Sequence, residues 1–290
     1  MKKLLVLIAL LLIIAGCTTT TQDKTIRIGA KAFTESAIVS EVYALALEDM
    51  GFKVDRIFNV AGAIIHDALV NNEMDMYPEY TGTGLLVRLK MPMETNPQKV
   101  YDIVKEEYLK KWNIVWLDYT AANDGQGIVI NTKVAQQYGI KTISDLQKYA
   151  TELRFASQGD FDQREDALPA LIKAYGPFDW KSSKVYDNSL KYTVLDSDEA
   201  DLAPAYTTEG MLVSERFTVL VDDKSVWPPY NLTPIIQKSI LDKYPEIETI
   251  INEISKHFDT ETVIQLNAKV DVDKKEIEDV AKEFYNSIKK

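Results

Sequence analysis

The feature that most limits the architecture of this chain is an alternation of short β-branched runs with amphipathic runs, made twice over. Thr25–Gly29 (TIRIG) alternates and is rich in β-branched residues, so it reads as a strand. Thr34–Met50 follows, with Ile38, Val42, Leu45 and Ala46 at helical spacing and Gly51 as its stop. Phe52–Phe58 reads as a second strand, Ala63–Asn71 as a second helix, and Asp75–Pro78 as a short strand. That strand runs into a loop of small residues carrying Tyr80, Thr81, Gly82 and Thr83. A helix over Pro97–Lys111 and a strand over Ile114–Leu117 complete the first series. This rhythm predicts a parallel sheet covered by helices.

After Asp118 the pattern begins again. Strands are predicted at Gly127–Asn131, Leu153–Ala156 and Ser183–Tyr186, with helices at Ser144–Tyr149 and Pro169–Tyr175. Ser144 is the expected N-cap of the first of these helices. Leu190–Leu195 leads into Asp201–Tyr206, and Thr218–Val221 returns. Thr233–Lys290 reads as mostly helical, with a polar interruption near Val270–Val272. Two such series in 290 residues imply two α/β lobes with a ligand cleft between them.

Composition narrows the function. Lys plus Arg number 33 against 44 Asp plus Glu, a net charge of −11, so phosphate backbones would repel the chain and nucleic acid is not an expected partner. One cysteine and two histidines leave no disulfide framework, no zinc cluster and no thiol–histidine dyad. No metal and no cofactor are implied. Catalysis has little support. Asp75 and Glu79 can be imagined as an acid/base pair, but nothing in the spacing establishes their separation. His66 and His257 lack a nucleophile pattern nearby, and His66 reads as a packed or surface residue.

The first residues are a separate object. Met1-Lys2-Lys3 is positively charged, and Leu4–Ala15 is an apolar run of 12 residues. A membrane-spanning helix needs roughly 20. The run fits the apolar region of a signal peptide. It ends in Ile14-Ala15-Gly16-Cys17, which resembles the lipobox of bacterial and archaeal lipoproteins. That resemblance implies a signal peptide over 1–16, lipidation of Cys17, and a polar tether over 17–24. The expected location is the outer face of the cytoplasmic membrane, held there by lipid.

Several segments further along carry a second resemblance: IGAKAFTE (Ile28–Glu35), GFKVDRIFN (Gly51–Asn59), DMYPEYTGTG (Asp75–Gly84), GIKTISDL (Gly139–Leu146), REDAL (Arg164–Leu168), PAYTTEG (Pro204–Gly210) and VDDKSVWPPY (Val221–Tyr230). The chain resembles the substrate-binding proteins of ABC transporters for glycine betaine, choline and related quaternary amines. The resemblance implies the two-lobed periplasmic-binding-protein fold of type II. It places the first lobe at 25–125, the second at 126–225, and the return to the first at 226–290. It also implies a membrane permease and an ATPase as partners.

The chemistry of such a ligand can be stated independently. A quaternary ammonium has no N–H to donate, so aromatic faces must recognise it. Tyr80, Tyr206 and Tyr230, each placed by the family's motifs, are the expected cage. Arg164 is the expected fork for a carboxylate, with Thr83 and Lys31 as further polar contacts. Where the family commonly has another cage tyrosine this chain has Gln126, and Ser36 replaces a common glutamine. Losing one aromatic wall removes roughly 0.5–2 kcal/mol, or about 2- to 30-fold in affinity. An amide at Gln126 can instead bond a hydroxyl or a ring nitrogen. The ligand therefore stays open among glycine betaine, carnitine, choline, ergothioneine and other zwitterionic solutes. A lipid-anchored protein-interaction module is the reading of another class.

Overall fold

The computed structural model describes residues 24–289, so the expected signal peptide, Cys17 and most of the tether lie outside the described residues. Two five-stranded sheets organise the chain. In chain order, the first takes β1 (Thr25–Lys31), β2 (Lys53–Val60), β3 (Met76–Tyr80), β4 (Ile114–Trp116) and, from far downstream, β10 (Leu232–Gln237). The second takes β5 (Gln126–Asn131), β6 (Arg154–Ser157), β7 (Ser182–Val185), β8 (Leu202–Tyr206) and β9 (Phe217–Val219). The strand orders are β2-β1-β3-β10-β4 and β7-β6-β8-β5-β9.

The order is the same in both lobes, and so is the mixture of directions. β1 runs parallel to β2 and β3, whereas β10 runs antiparallel to β3 and β4. In the second sheet β6 is parallel to β7 and β8, and β5 is antiparallel to β8 and β9. The expectation of a purely parallel sheet is thus corrected. The antiparallel strand is in each case the one beside a chain crossing, which needs no helical return to its neighbour.

β10 also corrects the expectation of a C-terminal stretch that is helical from Thr233. All six of its residues, polar Thr233 and Gln237 included, are buried between β3 and β4, and a strand buried on both faces carries no apolar–polar alternation to reveal it. Pro234 lies opposite Pro78 in β3. Neither proline has an N–H, so this rung must be a non-hydrogen-bonded pair, the one place where a central strand tolerates proline.

Helices cover both faces. Thr34–Asp49 is largely buried because the C-terminal helices Glu246–Ser255, Thr260–Asp271 and Ile277–Ile288 wrap its outer side. The Tyr43 hydroxyl meets Ser255 Oγ at 2.8 Å there. Pro97–Trp112 is capped by Asn96, whose side chain accepts from the Lys99 N–H at 3.0 Å. The helix over Ile143–Tyr149 begins one residue earlier than expected. Thr142, not Ser144, is its N-cap, in a reciprocal box with Asp145. The segment expected to be a loop after Pro78 is also regular: Tyr80 ends β3, Thr81–Thr83 makes a helical turn, and Gly84–Arg88 is π-helical.

Candidate ligand-binding site

The strand pair β5–β8 builds the site. Gln126 and Tyr206 are directly opposed in its last rung, so their side chains stand on the same face. Beside them opens a cavity of about 350 Å³, lined among others by Gln158, Phe161, Arg164 and Lys191. Tyr206 is 37% exposed, while Gln126 is buried at 8%. No hydrogen bond is recorded for the Gln126 amide among the described residues, and Gln158 Nε2 is buried without a partner. A buried donor left unpaired costs about 1–3 kcal/mol, which a ligand acceptor can recover.

Arg164 is held as a fork by Asp166, from Nε to Oδ1 at 2.9 Å and from Nη2 to Oδ2 at 2.7 Å. Burial opposes ionisation of Asp166, but the guanidinium and the Tyr230 hydroxyl, which donates to Oδ2 at 3.0 Å, keep it below the usual carboxylate range. Lys191 pairs with Glu209, and its ammonium stands 6.0 Å from the Tyr206 ring centroid. Glu209 in turn accepts from the Tyr206 backbone N–H at 3.1 Å.

Of the residues singled out in the sequence, the cavity brings together Gln126, Arg164 and Tyr206. Tyr230 reaches the group only through Asp166. It is 3% exposed, and its ring lies so close to Gly82 that a Cβ there would stand 2.7 Å from Cδ1. Tyr80 and Lys31 sit in the first lobe and are engaged with one another. The Lys31 ammonium stands 4.8 Å from the Tyr80 ring centroid and pairs with Glu79. The Tyr80 hydroxyl donates to Glu35 at 2.7 Å. Thr83 is partly exposed beside this wall, with no hydrogen bond recorded for its hydroxyl among the described residues.

Asp166, Gln158, Phe161 and Lys191 went unremarked in the sequence. Asp166 stood inside the REDAL segment, two residues from Arg164. Gln158 and Phe161 follow β6, and the C-terminal ends of parallel strands are where α/β ligand sites gather. Lys191 had no local signal, because its partner Glu209 lies beyond a further strand.

The imagined acid/base pair is absent as such. Asp75 accepts from Arg27 Nη2 at 2.6 Å, and Glu79 is enclosed with Lys31 and Tyr77. Burial opposes the Glu79 charge, yet Lys31 holds its carboxyl below the usual range. His66 is packed edge-on between Tyr108 and Trp112, at 5.3 and 4.5 Å between centroids. No group of residues suited to a metal ion occurs among the described residues, and no helix among them is long and apolar enough to cross a membrane.

Comparison with known proteins places this geometry. The chain is 34% identical over 266 residues to the ergothioneine transport permease/ergothioneine binding protein EgtU of Helicobacter pylori, spanning 91% of this chain and 47% of that protein. It is 33% identical to the carnitine transport binding protein OpuCC of Listeria monocytogenes, over 90% of this chain and 85% of that one. It is 30% identical to a glycine-betaine-binding protein of Pseudomonas aeruginosa, over 91% and 88%. Among solved structures, a glycine betaine/carnitine/choline ABC transporter protein superposes with a TM-score of 0.82 at 28% identity, covering 90% of this chain and 98% of that one. Apo YehZ from Escherichia coli gives 0.74 at 26%, covering 91% and 98%. The architecture is that of a type II periplasmic binding protein. These relatives are transport proteins, and the chain is a substrate-binding protein of an ABC transporter, not an enzyme. Residues 24–287 match the model for the substrate-binding domain of ABC-type glycine betaine transport systems, and the chain belongs to that family.

Proposed function

We propose that the chain captures a zwitterionic quaternary-ammonium solute between its lobes and hands it to a membrane permease driven by an ATPase. The observation that carries this reading is the meeting of Arg164, Tyr206 and Gln126 around one cavity in a chain of this family. The ring face of Tyr206 takes the methylated ammonium, and Arg164 takes the carboxylate. The unpaired amides of Gln126 and Gln158 suit a ligand with a further hydrogen-bonding group, as a hydroxyl or an azole ring provides. That favours a carnitine- or ergothioneine-like solute over glycine betaine, which has only its carboxylate to offer.

Energy requires both lobes. One cation–π contact at roughly 0.5–2 kcal/mol and one charge-assisted contact at about 1.5–3 kcal/mol fall short of the 8.2 kcal/mol that corresponds to micromolar affinity. The balance must come from burial as the first lobe closes on the ligand, bringing the wall of Tyr80, Thr83 and Tyr230 against it. The Cys17 lipid keeps the protein beside its permease.

The deciding experiment is calorimetric titration of the purified protein with glycine betaine, proline betaine, carnitine, choline, ergothioneine and plain amino acids. Preference for a methylated zwitterion supports the reading, and the rank order shows what the amides recognise. Tight choline binding would remove the role of Arg164. Silence across the panel with folded, ligand-free protein sinks the ligand class. Mass measurement of the membrane-extracted chain, native and Cys17→Ser, tests the anchor.

A further inference from the structure

The two strands that line the cavity run straight on into a second polar site. Two residues before Gln126 lies Asp124, and two residues after Tyr206 lies Thr208. The ladder continues between them, since Thr207 N–H donates to the Gly125 carbonyl at 3.0 Å and Gly125 N–H to Thr207 Oγ1 at 2.8 Å. Thr208 then meets the first lobe. Its Oγ1 stands 2.5 Å from Glu35 Oε2 and 2.7 Å from Asp124 Oδ1. Asn267, in the helix Thr260–Asp271, donates to the Thr208 carbonyl at 2.8 Å, and a Cβ on Gly210 would stand 2.6 Å from the backbone of Asn267 and Ala268. The lobes touch here backbone to backbone.

A threonine hydroxyl has one hydrogen. It can serve one carboxylate, so the second short contact needs a hydrogen from the other carboxyl group. The donors identify which. Glu35 receives Tyr80 Oη at 2.7 Å, Thr208 Oγ1, and Asn267 Nδ2 at 3.4 Å. Among the described residues the Asp124 carboxyl has Thr208 alone. Glu35 is therefore the better-supplied anion, and Asp124 is the acid that donates to Thr208. We propose that Asp124, Thr208 and Glu35 form a proton-binding junction between the lobes, with the proton on Asp124, and that closing the lobes on a solute takes up this proton.

The surrounding charges agree. Facing the junction are Lys31, paired with Glu79, from β1 and β3; Tyr80 from β3; and Glu209, paired with Lys191, beyond β8. Thr34 and Asp271 pair at the edge of the same helix contact. Lys31 and Lys191, the cations facing the junction among the described residues, are thus each matched to a carboxylate of their own. Burial and the Glu35 charge raise Asp124 well above the usual carboxylate range, and burial raises Glu35 as well. A group raised in the joined form adds stability that is complete below its ordinary value and lost as pH rises through the raised one. The joined form should loosen with rising pH.

Two readouts test this on the full-length chain. At pH 6, where ordinary carboxyl groups are ionised, the infrared spectrum of ligand-free protein should show the carbonyl stretch of one protonated, hydrogen-bonded carboxyl. Asp124→Asn, which can still donate to Thr208, should abolish it while leaving the fold intact. Absence of the band, or its survival in D124N, overturns the proton site. Above the pH at which that band fades in ligand-free protein, titration with glycine betaine and carnitine in buffers of different ionisation heat should then show proton uptake, with affinity falling by up to about tenfold per pH unit. D124N should flatten that dependence. Binding without uptake would overturn the link to closure, whereas failure of both solutes to bind would count against the ligand class and leave the infrared result to judge the proton site.

Discussion

Replacing Lys31 with methionine separates two roles that the sequence could not distinguish. The ammonium is buried against Glu79, which has no exposed surface, and it covers the Tyr80 ring at 4.8 Å. Methionine preserves the length of the stem but removes the charge. Glu79 then keeps Tyr77 Oη at 2.8 Å and the Tyr80 N–H at 2.9 Å, with no counter-charge. Breaking a buried pair on one side costs about 3–5 kcal/mol. With a urea slope of about 2–3 kcal/mol per molar, the unfolding midpoint should fall by about 1–2 M. Adding Glu79→Gln removes the stranded charge and should return most of the loss, since an amide oxygen in the Oε1 place still accepts from the Tyr80 N–H and the amide NH2 can donate to the Tyr77 hydroxyl oxygen. If Lys31→Met costs less than about 1 kcal/mol but weakens the preferred solute more than tenfold, Lys31 is a ligand contact and the structural reasoning fails.

Other outcomes follow from the same geometry. Tyr206→Ala should weaken the preferred solute by about 2- to 30-fold, while Tyr206→Phe, which keeps the ring face, should stay near wild type in calorimetry. Gly82→Ala should push the Tyr230 ring away from Asp166 at a cost of about 1–3 kcal/mol, read by thermal unfolding, and a neutral result would show that the ring has room to move. Gln126→Tyr should favour glycine betaine over carnitine if the amide reads a further polar group, and an unchanged ratio would remove that role. Burial, aided by Arg88, pushes His66 down to about 4. Its stabilising contribution is therefore present above 6.5 and lost as pH falls toward 4, by about 3 kcal/mol, a loss that His66→Phe should flatten in urea titrations.

The elements of both lobes were legible because most carry a period. β1, β5 and the helices Thr34–Asp49 and Pro97–Trp112 sit within a residue or two of their expected bounds. The exceptions have physical causes. β10 is buried on both faces, so alternation disappears from its sequence, and its pairing with β3 spans some 150 residues that no local pattern can report. The turn after Tyr80 is rich in glycine and threonine, which read as a loop, yet Gly82 and Gly84 are there because the Tyr230 and Trp116 rings leave no space for a Cβ. Packing, not chain flexibility, chose those glycines.

Residue chemistry along the chain indicated what kind of molecule this is: two α/β lobes, a net negative charge, and segments resembling those of ABC-transporter substrate-binding proteins. Only the tertiary structure decided which of its groups are free to act. Arg164 is held by Asp166 through Nε and Nη2, which leaves Nη1 for a ligand, the Tyr80 ring is covered by Lys31, and Gln126 and Tyr206 stand opposite one another in one rung of β5 and β8. A charge or a ring shows its type in the sequence, but its availability depends on partners that arrive from distant strands. Lys31 finds Glu79 across 48 positions, and Thr208 finds Glu35 across 173.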